Sequence, residues 1–141
     1  MSSIQFFSES TGMPDINQAK TAMWLEKTAN SENKETGDCN IIFCSDDYLL
    51  DINKKYLDHH NYTDIVTFDY SEDNTIAGDL FISTDRIAEN AKAFNVSFTQ
   101  ELHRVMVHGI LHLCGYKDTT QEEKKLMRSK ENHYLEKAGM L

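Results

Sequence analysis

The chain has 141 residues, of which 40% are hydrophobic and 26% are charged, and its formal net charge is −9. This composition predicts one folded domain over residues 1–141 with a sizeable core, and it excludes a disordered chain and a membrane-spanning one. The acidic excess argues against nucleic-acid binding through a general basic surface.

The first third of the chain predicts a strand, a helix and a second strand. Residues 4–7 form a short apolar strand. An apolar face at helical spacing opens at Pro14 and continues to about Ala29, and a polar loop follows over residues 30–38. The compact apolar run 40–44 is typical of a buried strand.

The middle of the chain predicts a second helix and then a pair of strands. Ser45 is placed to cap a helix over residues 46–56. Residues 64–69 are β-branched and aromatic, and so are several residues within 76–83, which indicates two strands. A turn is expected between them at 71–74.

Three helices complete the predicted order. A hydroxyl at Ser83 or Thr84 caps the first of them. Residues 97–100 have the spacing of a capping box and begin a helix that runs to Cys114. The last helix spans residues 121–138. This order predicts an α/β (α+β) fold, in which a small mixed β-sheet of about four strands packs with helices.

The helix that ends at Cys114 is apolar nearly all round, so we expect it to be central and buried. It carries one polar stripe, at spacings of three and four residues: Glu101, Arg104, His108 and His112. A buried polar group without a partner costs about 1–3 kcal/mol. A metal ion would be a shared partner for the two histidines.

Two histidines four residues apart, His108 and His112, project from the same face of this helix. Gly115 stands where a left-handed cap would end the helix, and the reversal would bring Asp118 back as a third ligand. Two imidazoles and a carboxylate leave a fourth position for water, as in catalytic zinc sites. Two histidines at this spacing also occur in protein cores, where other groups satisfy their hydrogen bonds. The additional glycine and carboxylate favour a metal site here.

Gly109, between the two histidines, indicates a close contact with the helix and argues against one class of protease. Inside a helix it costs about 0.5–1 kcal/mol relative to alanine, so we expect a strand or a substrate to approach closely there. The spacing equals that of the metzincin proteases, H-E-x-x-H-x-x-G-x-x-[HD], but their water-activating glutamate is replaced by this glycine. A peptidase of that type would lack its general base.

Three ordered segments resemble the motifs of one family. The segment 108–118, H-G-I-L-H-L-C-G-Y-K-D, resembles the signature H-G-x-L-H-L-x-G-Y-D-H of the YbeY family, bacterial metal-dependent endoribonucleases of ribosomal RNA maturation. Residues 63–68 resemble its T-D-V-L-S-F, and residues 78–83 its G-D-I-x-I-S. Asn53 and Tyr56 precede them as in its N-x-x-Y-R.

The resemblance implies a zinc-dependent hydrolase domain, an endoribonuclease, with one zinc ion per chain held by His108, His112 and Asp118. It implies that a zinc-bound water cuts single-stranded ribosomal RNA in maturation of the 16S 3′ end and in ribosome quality control. The implied partners are RNA and ribosomal particles or proteins, and the acidic charge fits contact with basic ribosomal proteins. Three cysteines, an odd number, and an N-terminus without a signal-peptide pattern fit the cytoplasm.

The chain departs from the family pattern at two places. Lys117 and Asp118 stand where the signature has Asp and His, and Leu57 stands where the family has an arginine implied in RNA cleavage. Another cation would then contact the phosphate, and the candidates are Arg104, His59 and Lys117. Arg104 is preferred because it lies one turn from His108, although an ion pair with Glu101 is equally well supported.

Other residues in these motifs have a functional and a structural interpretation. Asp64 and Asp79 either orient a ligand histidine or cap a turn. Tyr116 either lines the cleft or covers the turn. Two other functions stay open: a peptidase-like metallohydrolase of unknown substrate, and a non-catalytic ribosome-associated zinc protein. The sequence predicts no oligomeric state.

Overall fold

A computed structural model describes residues 3–57 and 62–141. Four strands and five helices follow one another in this part of the chain: β1 (Ile4–Glu9), α1 (Gln18–Ser31), β2 (Glu35–Cys44), α2 (Asp46–Tyr56), β3 (Ile65–Asp69), β4 (Thr75–Ser83), α3 (Thr84–Phe94), α4 (Phe98–Leu113) and α5 (Gln121–Lys137). The predicted order of elements is therefore confirmed.

The strands form one mixed sheet in the order β1-β2-β4-β3. β1 runs parallel to β2, with Phe6 beside Ile41, and β2 runs parallel to β4, with Ile41 beside Leu80. β3 pairs antiparallel with β4 and places Val66 beside Phe81. The helix α1 makes the crossover between the two parallel strands β1 and β2, as parallel pairing requires. The predicted α+β class and four-stranded mixed sheet are confirmed.

The two faces of the sheet have separate cores. Side chains alternate along each strand, so Phe43 and Leu80 pack towards α1 and α4, whereas Cys44 and Val66 pack towards α2. α4 lies at the centre of the larger core, with Met106, Val107, Ile110 and Leu111 fully buried. The prediction that the helix with both histidines is central and buried is confirmed.

Two predicted boundaries are wrong. α1 begins at Gln18 rather than near Pro14, because the Asn17 side chain caps it by accepting a hydrogen bond from the Lys20 N–H at 3.0 Å. Residues 35–38 belong to β2 and not to a loop, because they extend the strand alongside β4, where Glu35 pairs with Thr75. Polar strand ends of this kind gain their conformation from a partner strand distant in sequence.

The helix caps agree more closely with the predictions. Ser45 and Ser83 cap α2 and α3, and the Ser97 hydroxyl accepts from the Gln100 N–H at 3.0 Å. A reciprocal capping box begins α5, where Thr120 and Glu123 bind each other's backbone N–H groups, and the sequence analysis does not predict it. Among the described residues, no helix combines the length and apolar character that a membrane crossing requires.

Candidate metal centre

The packing of α4 on the sheet explains the glycine between the two histidines. A Cβ built on Gly109 would lie 2.8 Å from Leu80 Cδ1 and 2.9 Å from Ile65 Cδ1. The close neighbour is therefore the β3–β4 pair, which confirms the expected approach of a strand. Gly109 thus lets α4 pack closely against the edge strand β3 and its neighbour β4, and the partly exposed His108 and His112 lie on the same helix.

The turn after α4 returns the chain towards these histidines. Gly115 has φ 109°, a conformation that L side chains rarely adopt. Its N–H donates to His112 O at 3.0 Å, and the Tyr116 N–H donates to Leu111 O at 3.1 Å. These two bonds are the pattern of a Schellman motif, and they confirm the predicted left-handed cap.

Three side chains converge beyond this turn. Asp118 places Oδ2 3.4 Å from His108 Nε2 and Oδ1 3.4 Å from His112 Nε2. The ligands of a tetrahedral zinc ion, at about 2.1 Å from the metal, lie about 3.4 Å apart, and each histidine nitrogen lies at this distance from one of the two carboxylate oxygens. One donor atom from each of the three residues lies within 4.8 Å of the others, and no second such group was found over residues 3–57 and 62–141. All three side chains are partly exposed, which leaves one side open to a substrate.

A buried glutamate on α5 holds the first of these histidines. Glu131 Oε2 lies 2.7 Å from His108 Nδ1, and its Oε1 accepts from Arg104 Nη1 at 3.0 Å. When His108 donates through Nδ1, the lone pair of Nε2 is left to face Asp118. Burial opposes the charge on both groups, but their hydrogen bond and mutual attraction raise the pKa of His108 and lower that of Glu131.

Sequence analysis missed Glu131, although its spacing carries a signal. The buried residues of α5 are Met127, Glu131, Tyr134 and Leu135, so this glutamate lies on the same helical face as three core positions. A carboxylate on the apolar face of an amphipathic helix needs a buried partner.

The ion pair of Arg104 is with Glu131, and not with Glu101, the alternative that the sequence left open. Its side chain is only 13% exposed, and its guanidinium donates across to α5. Glu101 is itself buried, and burial raises its pKa. Arg104 therefore lies beside the candidate metal site, but its side chain binds the carboxylate that holds His108.

The structure separates the two aspartates that sequence analysis proposed as orienting groups. Asp64 lines the depression that also contains His108, His112 and Asp118, and burial raises its pKa. Its Oδ2 accepts a long hydrogen bond, 3.5 Å, from Asn90. Asp79 lies elsewhere.

Asp79 alternates along β4 with Gly78 and Leu80, which face α4, so its side chain points to the opposite face of the sheet. There its carboxylate accepts from Asn40 Nδ2 at 3.0 Å. The structure does not bring Asp79 to the metal centre.

Tyr116 covers the turn, the second of its two predicted roles. Its hydroxyl donates to Glu32 Oε1 at 2.5 Å, at the C-terminal end of α1. The Tyr134 hydroxyl and the Lys130 ammonium also donate to Glu32. Lys117 is exposed beside Asp118. His59 lies outside the described residues.

Two depressions meet at the convergent side chains. One, of about 450 Å³, runs along the β3 side and is lined by Thr63, Thr67 and Asp69 as well as by the three residues. The other, of about 350 Å³, lies between α3, α4 and α5 and shares His108 and Asp118 with the first. A chain-like substrate would thus have room on both sides of the site.

Comparisons with known proteins find similar sequences over most of the chain. A family model described as Endoribonuclease YbeY matches residues 5–139. The protein named endoribonuclease YbeY of Christiangramia forsetii is 52% identical over 132 residues, which cover 94% of this chain and 92% of that protein. Its namesake from Flavobacterium johnsoniae is 51% identical, with 94% of both chains covered. That of Parabacteroides distasonis is 45% identical, with coverage of 94% and 93%.

One solved structure resembles the chain over nearly its whole length. The solution structure of TM1509 from Thermotoga maritima superposes with a TM-score of 0.68 at 28% sequence identity. The match covers 94% of this chain and 87% of that one.

Proposed function

The chain belongs to the YbeY family of endoribonucleases, which are hydrolases, and from this membership we propose that it is a zinc-dependent enzyme that cuts single-stranded RNA. The proposed substrate is ribosomal RNA in the cytoplasm, in maturation of the 16S 3′ end and in ribosome quality control. Ribosomal particles or their proteins are the proposed partners, because the net charge of −9 complements basic proteins.

One observation carries the proposal: two imidazole Nε2 atoms and one carboxylate converge at separations that suit one ion. His108, His112 and Asp118 would hold the zinc. A bound zinc ion lowers the pKa of water to about 7 and polarises a phosphoryl oxygen. The donor set fits this metal, because zinc takes imidazole nitrogen and carboxylate oxygen.

The chain's own residues prepare the site for this chemistry. Glu131 fixes the ring of His108, and in the neutral imidazole its hydrogen bond to Nδ1 selects the tautomer whose Nε2 lone pair is free for a metal. Arg104 holds Glu131 in turn, so we assign it a positioning role rather than a phosphate contact. Asp64 lines the cleft beside His108 and is oriented by Asn90.

The packing of Gly109 weighs against a peptidase of the metzincin type. A glutamate there would carry its Cβ to within 3 Å of Leu80 and Ile65, against the sheet and away from the open side of the site. The water-activating carboxylate of that mechanism thus has no place at this position.

A nuclease assay tests the proposed function. Zinc-loaded protein is incubated with single- and double-stranded RNA, and His108→Ala is compared with His133→Ala, which removes an exposed histidine of α5. We expect cleavage of the single strand by the wild type and the control, and none by His108→Ala with an unchanged circular-dichroism spectrum. Unchanged cleavage by His108→Ala would overturn the mechanism.

Metal analysis and ribosome binding separate the remaining alternatives. We expect about one zinc per chain, lost in His112→Ala. Tight binding to ribosomal particles without turnover of RNA would favour a non-catalytic zinc protein. Association with ribosomes that does not weaken with added salt would contradict the proposed role of charge.

A further inference from the structure

The depression between α3, α4 and α5, here called the Phe94 cleft, extends from the metal centre. It has a volume of about 350 Å³ and shares His108 and Asp118 with the site. This volume is in the range of pockets that hold small ligands. Its walls away from the metal include Phe94 at the end of α3 and Lys124 and Arg128 on α5.

Apart from Asp118, which belongs to the proposed metal site, the acidic groups of this cleft are engaged or buried. Glu131 accepts from Arg104 and pairs with His108. Glu101 is only 4% exposed. Asp64 accepts from Asn90. Glu131 and Asp64 are therefore engaged by partners in the protein, and Glu101 is withdrawn from solvent.

The cationic groups lie on the rim instead. The Arg128 side chain is 57% exposed, and its ion pair with Glu131 Oε1 is long, 3.9 Å. Lys124, one turn earlier on the same face of α5, is exposed as well. In the described part of the chain, neither side chain makes an ion pair shorter than 3.9 Å, so both charged groups can contact an anion.

An aromatic ring stands on the opposite wall. Phe94 is the last residue of α3 and is 58% exposed, and Asn95, with φ 55°, ends the helix directly after it. An exposed ring beside a cationic rim is the arrangement with which proteins bind single-stranded nucleic acid, since bases stack on the ring and phosphates contact the cations.

We propose that the Phe94 cleft binds the nucleotide next to the scissile phosphate, with its base stacked on Phe94 and the adjoining backbone phosphates contacted by Lys124 and Arg128. The proposal rests on the proposed ribonuclease function. It supplies a phosphate contact in a chain that has Leu57 where the family pattern has arginine. It also explains how a protein of net charge −9 binds RNA locally.

The first test compares initial rates on a short single-stranded RNA for Phe94→Ala and Phe94→Tyr. Loss of base stacking should lower kcat/KM about tenfold, mainly through KM, and the tyrosine should restore it. Zinc content should stay at one ion per chain. A series of RNAs then carries one abasic nucleotide at successive positions. At one of these positions, the losses of kcat/KM caused by the abasic nucleotide and by Phe94→Ala should not add, because both remove the same stacking contact.

The second test measures salt dependence. Each phosphate contact to a single strand contributes about 0.7 to the slope of log affinity against log salt concentration. Lys124→Ala and Arg128→Ala should each make the slope of kcat/KM shallower by about this amount. Phe94→Ala should lower kcat/KM and leave the slope unchanged.

The neighbouring depression on α3 offers matched controls, because it is lined by the exposed Lys92 and Phe98. Lys92→Ala and Phe98→Ala should retain wild-type kcat/KM and salt slope. If the wild type cleaves RNA, two results would overturn the proposal. One is an equal loss of kcat/KM in Phe98→Ala and Phe94→Ala. The other is that the losses from Phe94→Ala and from the abasic nucleotide add at every position of that nucleotide. A wild type that cleaves no RNA would overturn the proposed function, and this proposal with it.

Discussion

Glu131 Oε2 lies 2.7 Å from Nδ1 of His108 and so joins α5 to the metal-binding face of α4. The carboxylate is only 7% exposed, and its second oxygen is occupied by Arg104. A carboxylate behind a ligand histidine fixes the tautomer and the orientation of the ring and raises its basicity as a ligand. This contact makes α5 part of the metal site although none of its residues is a proposed ligand.

Glu131→Ala should therefore weaken zinc binding without removing a ligand. Loss of such a carboxylate costs about 10–100-fold in metal affinity. Glu131→Gln should weaken it less, because an amide oxygen still accepts from Nδ1. Competition with a chromophoric chelator measures the affinities, and thermal unfolding verifies that each variant is folded.

Glu136→Gln is the matched control for this experiment, because Glu136 is an exposed glutamate of the same helix. Its zinc affinity should equal that of the wild type. A Glu131→Ala variant that binds zinc as tightly as Glu136→Gln would show that the His108 ring is held without Glu131.

The contrast between Asp118 and Glu131 shows which part of the site is readable from sequence. His108, His112, Gly115 and Asp118 lie within eleven residues, so helical periodicity and one left-handed glycine are enough to bring them together. Glu131 reaches the site only through the packing of α5 on α4. Its place among core positions of α5 indicates a buried partner, but it does not identify that partner as His108.

The same distinction applies to the fold. The caps at Ser45, Ser83 and Ser97 are local hydrogen bonds; the sequence predicts those at Ser45 and Ser97, and it offers Ser83 as one of two candidates. The beginning of β2 at Glu35 depends on pairing with Thr75, forty residues away, and the sequence does not predict it. The placement of Asp79 on the far face of the sheet likewise depends on which face α4 covers.

The departure from the family signature at Asp118 leads to a second prediction. Asp118→Ala should lower zinc affinity at least tenfold, since it removes one of the three proposed ligands, whereas Asp118→His should retain about one zinc per chain, since imidazole is also a zinc ligand. Metal content after dialysis against a weak chelator measures both. Glu122→Ala, in the first turn of α5, is the control. Full retention of zinc by Asp118→Ala would exclude Asp118 as a ligand.

Glu32 gives a prediction about stability and pH. Burial opposes its charge, but hydrogen bonds from Tyr116, Tyr134 and Lys130 outweigh burial and hold its pKa below the ordinary value of 4.5. A lowered carboxylate pKa stabilises the folded state above pH 4.5, and this contribution is lost as the pH falls through the folded-state pKa. Glu32→Gln should therefore lower the free energy of unfolding at pH 7 by about 1–3 kcal/mol.

Urea unfolding of wild type and Glu32→Gln between pH 7 and pH 3 tests this expectation. The difference between the two proteins should be largest above pH 4.5 and should shrink towards pH 3. A difference that stays constant over this range would mean that the charge of Glu32 does not stabilise the fold. Glu136→Gln, at an exposed position of α5, should show little difference at any pH.

The last prediction isolates the backbone of the turn that carries Asp118. A Cβ at Gly115 or at Gly12 would meet no atom within 4 Å, but only Gly115 has a positive φ, 109°. Gly115→Ala should thus destabilise the protein by about 1–3 kcal/mol through backbone strain alone. Gly12→Ala should be neutral or stabilising by up to about 1 kcal/mol, because alanine reduces the entropy of the unfolded chain. Equal unfolding free energies of the two variants in urea would contradict a strained conformation at Gly115, and with it the reversal that directs Asp118 towards His108 and His112.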